Sequence, residues 1–213
     1  MEGKKRLISI LGDSYSTFKG WIPKDYEAWY EDGSTSEPND VISVEQTWWH
    51  MLCEEKNFQL FQNCSYSGST ICNTGYVPIL SARISFIKRM KRELGPDQPQ
   101  KADVLIVFGG TNDFWAGSPI GKIQYEGWTN ADLKKFAPAI CYMMHHLCEW
   151  NPDTQIYNVV NDDISDELKK IMAEVCDHYH ITNIELTDIE KENGHPNKIG
   201  MRQTMEQIAA RLE

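Results

Sequence analysis

The apolar residues of this chain fall into two alternating patterns. Five short stretches, from continuously apolar to mixed, lie between turn residues. The first is Ile8-Ser9-Ile10-Leu11, broken by Gly12-Asp13-Ser14; the others are Phe58 to Asn63, Ala102 to Phe108, Gln155 to Val160 and Ile181 to Leu186. Such runs predict buried strands, and Val104-Leu105-Ile106-Val107-Phe108 is the strongest of them, with no polar face at all. Between the runs the apolar spacing is helical. Val44 to Lys56 predicts a helix with Trp48, Met51 and Leu52 inward, and Ile79 to Leu94 a second with Leu80, Ile84, Ile87 and Leu94 inward, stopped by Gly95-Pro96. From about Asn130 to Trp150 the stripe Leu133, Phe136, Ala137, Ile140, Cys141, Met144, Leu147 and Cys148 predicts a third; Pro138 either kinks it or marks its true start. Ser165 caps a helix with Leu168, Ile171, Met172, Val175 and Cys176 inward, and a last helix follows Pro196 with Met201, Met205, Ile208 and Leu212 inward. Strand–helix alternation predicts an α/β fold: a five-stranded parallel sheet covered by helices on both faces. Two stretches fit neither pattern. Lys19 to Asp40 and Phe114 to Trp128 are aromatic, Gly/Pro-punctuated loops, and loops of that length in a compact domain tend to be functional.

Composition narrows the function. The 213 residues suit one domain, 1–213, with no repeat or low-complexity tract to divide it. A net charge of −10 argues against a nucleic-acid partner, since phosphate binding needs clustered Lys and Arg. The clusters Lys4-Lys5-Arg6 and Lys88-Arg89-Met90-Lys91-Arg92 are short and read as solvated surface. No run approaches the ~20 apolar residues of a membrane span, so no membrane partner is expected. No leader is visible before the first strand, so we expect a cytoplasmic protein unless a signal peptide was removed. The six cysteines contain no C-x-x-C pair and sit in apolar stretches, as buried thiols do. The sequon Asn63-Cys64-Ser65 is discounted for the same compartment reason.

The chemistry gathers at the strand ends. Gly12-Asp13-Ser14, Ser67-Gly68 and Gly110-Thr111-Asn112-Asp113 each follow a predicted strand, and Gly194-His195-Pro196 precedes the last helix. A parallel sheet brings such turns to one edge, where open α/β folds place their ligands. Asp13 and Ser14 alone read as a helix cap, with Asp13 bonding local backbone. With His195 as base, Ser14 is instead a candidate nucleophile. Gly12 allows backbone angles other residues resist. Gly68 offers an unobstructed backbone N–H, Asn112 a side-chain amide and Ser14 its own N–H: three candidate donors for an oxyanion.

The set Gly12-Asp13-Ser14, Gly68, Gly110-Thr111-Asn112-Asp113 and His195-Pro196 resembles the SGNH (GDSL-type) hydrolase family, in chain order and over nearly the whole chain. The resemblance implies a flavodoxin-like three-layer α/β/α sandwich and ester hydrolysis without a metal or cofactor. It also implies Ser14 as nucleophile, His195 as base, and an oxyanion hole of Ser14, Gly68 and Asn112. One position departs: the family usually has Asp three residues before the histidine, where this chain has Glu192. Asp188, directly after the fifth strand, is the other candidate for the acid of a catalytic triad. Trp21, Trp29, Trp115 and Trp128 emerge beside Ser14 and Asn112 and either rim a substrate pocket or merely pack the loops down. His50, His145-His146, His178 and His180 read as structural or surface residues, and Asp162-Asp163 as a helix cap. The leading expectation is a serine esterase acting on a small-molecule acyl ester, small or carbohydrate-linked, such as an acetylated sugar. The alternatives are a lysophospholipase or thioesterase, or a non-catalytic carbohydrate-binding module on the same fold.

Overall fold

A computed structural model describes residues 4–33 and 38–212; residues 34–37, inside the expected loop from Lys19 to Asp40, lie outside the described residues. Five strands form the expected parallel sheet: β1 (Arg6–Gly12), β2 (Phe58–Asn63), β3 (Val104–Phe108), β4 (Gln155–Val160) and β5 (Thr182–Glu185), in the order β2-β1-β3-β4-β5. Order reverses at β1, the switch point at which sheets of this kind open a crevice. A two-stranded antiparallel ribbon, β6 (Lys191–Glu192) and β7 (His195–Pro196), stands apart from it.

The strands alternate between two cores. Ile8 and Ile10 of β1 and Val104, Ile106 and Phe108 of β3 point to one face, where Trp48 and Leu52 of α1 (Trp48–Glu55) pack with Met201 and Ile208 of α7 (Lys198–Ala209). Leu11, Leu105 and Val107 point to the other. There they meet Ile87 and Met90 of α3 (Phe86–Glu93), Ile140 and Met144 of α5 (Phe136–Trp150), and Met172 and Val175 of α6 (Asp166–His178). This is the three-layer sandwich, and β3 at its centre is wholly apolar because both its faces are covered. Among the described residues no helix is long and apolar enough to cross a membrane.

Two expected helices are interrupted, each by a residue that caps the piece after it. Thr47 leaves the helical region (ψ 145°) and its hydroxyl accepts from His50 N–H, so the segment from Val44 begins as a short 3₁₀ turn. Ser85 (ψ 156°) does the same between α2 (Pro78–Ile84) and α3, its hydroxyl accepting from Lys88 N–H. A capping hydroxyl satisfies an otherwise orphaned N–H, which compensates a break in an apolar pattern. The break turns α2 outward: Ile79 is 80% exposed and Leu80 is exposed too, against the expectation that Leu80 faces in. Pro138 is the third residue of α5, so it marks the start of the helix rather than kinking it. The expected loop from Phe114 is preceded by a short helix, α4 (Thr111–Trp115), started by Gly110.

The basic run in α3 is not all surface. Arg89 is fully buried, while its neighbours Lys88, Lys91 and Arg92 carry the solvated face. Its Nε donates to the Ile84 carbonyl (2.8 Å), one terminal nitrogen to Ser69 Oγ (2.7 Å) and the other to the Cys64 carbonyl. Burial lowers its pKa to about 10, which still leaves it charged. All six cysteines are unpaired, and five are buried. Asn63 of the sequon is buried as well, its amide donating to the Ser16 carbonyl (2.8 Å) and accepting from Ser65 N–H (3.1 Å).

Candidate active site

β1 ends at Gly12, and its need for glycine is space rather than an unusual φ. A Cβ there would lie 2.6 Å from Ser16 Cβ and from both the Ser16 and Ser65 hydroxyls. Tyr66 N–H reaches the Gly12 carbonyl (3.1 Å), bringing the β2 loop against the β1 end. Asp13 caps the 3₁₀ turn Ser14–Ser16 by accepting from Tyr15 N–H (3.1 Å), as expected of a local backbone bonder. Burial raises the Asp13 carboxyl to about 7.

Ser14 Oγ stands 2.9 Å from His195 Nε2, across 181 residues of sequence, and both side chains are buried. Burial lowers the imidazole pKa to about 4, with the Asn193 carbonyl opposing that shift. At neutral pH the ring is therefore unprotonated and able to take a hydroxyl proton.

His195 is delivered by the ribbon. Asn193 (φ 50°) and Gly194 (φ 74°) form the two-residue turn between β6 and β7. Two consecutive left-handed residues make a type I′ hairpin turn, for which Asn-Gly is the preferred pair. Side chains from elsewhere hold the carbonyls around the base: Tyr15 OH donates to Gly194 O (2.6 Å), and Tyr30 OH (2.9 Å) and the Asn39 amide (3.3 Å) to Pro196 O. Asp162, at the end of β4, accepts from Ile189 N–H (2.8 Å) and from Lys191 Nζ, pinning the base of the ribbon instead of capping a helix.

The same turn puts a backbone carbonyl where the acid was expected. His195 Nδ1 faces the backbone carbonyl of Asn193 at 3.1 Å. Among the described residues no carboxylate bonds the ring, which corrects the expectation for both Asp188 and Glu192. Glu192 pairs with His195 across the ribbon, but its side chain is exposed. Asp188 sits exposed in a left-handed turn (φ 53°), with the next N–H already committed to Asp162. The carbonyl occupies the position a triad acid would take, and it too fixes the ring's tautomer with Nε2 toward the serine.

The candidate oxyanion donors stand on three adjacent strand ends. Gly68 follows β2 with φ 75° and open space where a side chain would be. Arg89 and Asp113 hold its loop on either side, Asp113 accepting from Ile71 N–H (2.7 Å) and Cys72 N–H (3.2 Å). Asn112, in the first turn of α4, is buried; its Nδ2 has no partner among the described residues, while its Oδ1 accepts from Tyr76 OH (3.1 Å). An unspent buried amide N–H is costly unless something is meant to receive it.

The four tryptophans divide. Trp29 stacks on His195 (centroids 3.5 Å, planes 6° apart), and Trp115 meets it edge-on (5.9 Å). Trp21 instead packs on Trp49 and His50 of α1, and Trp128 on Tyr142 and His145 of α5, so these two pack their loops down and are withdrawn from the rim. On α5, His145, His146 and Glu149 bring their ligand atoms within 4.8 Å of one another, Glu149 pairing with His146 at 3.0 Å. Tyr15, Tyr30, Tyr76, Arg89 and Asp162 were missed as site residues by the sequence reading. Only Asn193-Gly194 carried a readable signal, as a hairpin dipeptide.

The GDSL-like lipase/acylhydrolase family model matches residues 6–212. A crystal structure of a protein assigned as a GDSL-like lipase from Bacteroides uniformis is 46% identical, with a TM-score of 0.91 over 98% of this chain and 95% of that one. Another, from Bacteroides ovatus, is 44% identical, with a TM-score of 0.91 over 98% of each chain. A family two carbohydrate esterase from Clostridium thermocellum shares the fold at 15% identity, with a TM-score of 0.64 over 98% of this chain and 64% of that one. No match was found among curated proteins. With the family model spanning nearly its whole length, this chain belongs to the GDSL-like lipase/acylhydrolase family of ester hydrolases.

Proposed function

We propose that this enzyme is a serine esterase that cleaves small or carbohydrate-linked acyl esters, acetyl esters among them, through an acyl-enzyme on Ser14. The observation that carries this reading is the 2.9 Å contact between Ser14 Oγ and a buried, neutral His195. His195 Nε2 takes the hydroxyl proton as Oγ attacks the ester carbonyl. The negative charge that develops on the carbonyl oxygen is received by the N–H groups of Ser14 and Gly68 and by Asn112 Nδ2. The imidazolium, steadied by the Asn193 carbonyl, then protonates the departing alcohol. Water repeats the sequence on the acyl-enzyme, His195 again serving as base, and the carboxylic acid leaves. The machinery is a Ser14–His195 dyad with a backbone carbonyl behind it.

The rim supports the substrate class. Trp29, stacked on His195, and Trp115, edge-on to it, give the site an aromatic rim of the kind that suits sugar rings and short acyl groups. Six unpaired cysteines suit a reducing compartment, so we place the activity in the cytoplasm.

The test is a series of p-nitrophenyl esters of rising chain length run beside acetylated oligosaccharides, with the folded Ser14→Ala variant as control. Acetyl and butyryl esters should turn over faster than palmitoyl, and Ser14→Ala should abolish both turnover and labelling by a fluorophosphonate. An optimum at long chains would move the assignment to a lipase or lysophospholipase. Wild type that neither hydrolyses esters nor takes the label would leave a binding module.

A further inference from the structure

The oxyanion amide has two ends that differ by one atom, and something must choose between them. If Asn112 turned over, its carbonyl oxygen would face the developing negative charge and repel it. Its backbone does not decide the matter, because rotation about the last side-chain bond of asparagine is broad and roughly two-fold. Nδ2 does not decide it either, since it has no partner of its own. Among the described residues the one hydrogen bond that distinguishes the ends is Tyr76 OH on Asn112 Oδ1, at 3.1 Å. A hydroxyl can donate to Oδ1, and Asn112 Nδ2 is then left to face the substrate.

Tyr76 is held in register with Asn112 although its own ring is half exposed (53%). Asp113, the residue after Asn112, takes the N–H groups of Ile71 and Cys72. Ser118, just past α4, donates to the Thr74 carbonyl (2.9 Å). The segment leading to Tyr76 is thus tied to α4 at Asp113 and to the turn after it at Ser118. Between these ties Asn73 is held as well, its N–H meeting the Leu133 carbonyl (2.8 Å) and its Oδ1 accepting from Ser85 Oγ (2.7 Å).

We infer that Tyr76 is a positioning residue: its hydroxyl selects the amide orientation of Asn112 that serves as oxyanion donor. This rests on the reading of Asn112 given above. The expected cost of losing the hydroxyl is that of one neutral hydrogen bond, roughly three- to tenfold in kcat. KM should hold, because the amide's contribution strengthens only in the transition state.

The experiment is a double-mutant cycle on p-nitrophenyl acetate with Tyr76→Phe, Asn112→Ala and the pair. Tyr76→Phe keeps the ring, so its fold and thermal midpoint should match wild type. In the Asn112→Ala background, Tyr76→Phe should cost nothing further. If it costs the same factor in both backgrounds, Tyr76 acts elsewhere and the inference fails. If Asn112→Ala lowers kcat by two orders of magnitude while Tyr76→Phe changes nothing, the amide orients itself and the inference again fails, with the oxyanion reading intact. If Asn112→Ala leaves kcat unchanged, the oxyanion reading has failed and the inference with it.

Discussion

Removing the carboxylate that sequence position would nominate as the third catalytic group should do almost nothing here. In Ser–His–Asp enzymes, neutralising the acid lowers kcat by about 10⁴. In this chain His195 Nδ1 already faces the Asn193 carbonyl, and both Glu192 and Asp188 are exposed. Glu192→Gln and Asp188→Asn should therefore keep kcat within about twofold, since surface substitutions away from such contacts are near neutral. Asn also tolerates the left-handed backbone at position 188, so that variant adds no strain. The pH profile gives an independent magnitude. With no acid behind it and burial holding its pKa near 4, His195 is ~90% neutral at pH 5, against ~3% for an ordinary histidine at 6.5. Relative to its plateau, kcat/KM at pH 5 should therefore stand ~30-fold higher than an ordinary histidine base would permit. A carboxylate partner would push the acid limb up instead, by favouring the imidazolium. Hydrolysis of p-nitrophenyl acetate, followed at the isosbestic wavelength of nitrophenol from pH 3.5 to 8, measures the limb for wild type and both variants. A wild-type limb at pH 6 or above would refute the burial argument, and a variant losing more than about tenfold in kcat would show that a carboxylate reaches the ring in the working enzyme.

Three further outcomes follow from the same geometry. Trp29→Ala removes the surface on which His195 stacks, so kcat should fall about tenfold or more while the thermal midpoint drops by only a few degrees; an unchanged kcat would make the stack incidental. Gly68→Ala meets no atom within 4 Å but forces a side chain onto φ 75°, so it should fold, lose roughly 1–2 kcal/mol of stability in denaturant titration, and lose kcat as the N–H shifts. Asp13 has a folded pKa near 7, above its unfolded value near 4, so the stability it gives is present below pH 4 and lost as pH rises through 7. Asp13→Asn should be close to wild type in thermal midpoint at pH 5 and gain on it by pH 8.5; a gap that does not widen with pH would refute the assignment.

The parts of this molecule that were legible in its sequence are those where one physical demand dominates. Val104 to Phe108 has no polar face because both its faces are buried, and no competing reading of that run exists. Ser14, Gly68, Asn112 and His195 stood out as small polar motifs at strand ends, and a parallel sheet leaves such ends only one edge to share. The breaks at Thr47 and Ser85 were not legible, since a Ser or Thr inside an apolar periodic stretch is compatible with either a helix interior or a new cap. Arg89 looked like its charged neighbours because nothing local marks a guanidinium that will satisfy carbonyls 5 and 25 residues away. Trp21 and Trp128 could not be told from Trp29 and Trp115, for aromatic residues in loops carry no periodicity to show which way they face. The Asn193-Gly194 pair carries a hairpin signal, but the strands beside it, Lys191–Glu192 and His195–Pro196, are too short to show an alternating pattern.

That turn also determines what kinds of genetic change this enzyme can feel. A side-chain acid is one codon away from loss, whereas a main-chain carbonyl survives every substitution that preserves the bend. An alanine scan across the ribbon would therefore register His195 and pass over the carbonyl that its ring faces. The vulnerable site is one step along, at Gly194, where any side chain must accept φ 74° and would lie 3.3 Å from the Trp115 ring. Mutational tolerance here should follow backbone shape, with glycine carrying the constraint that an acidic residue bears in a triad.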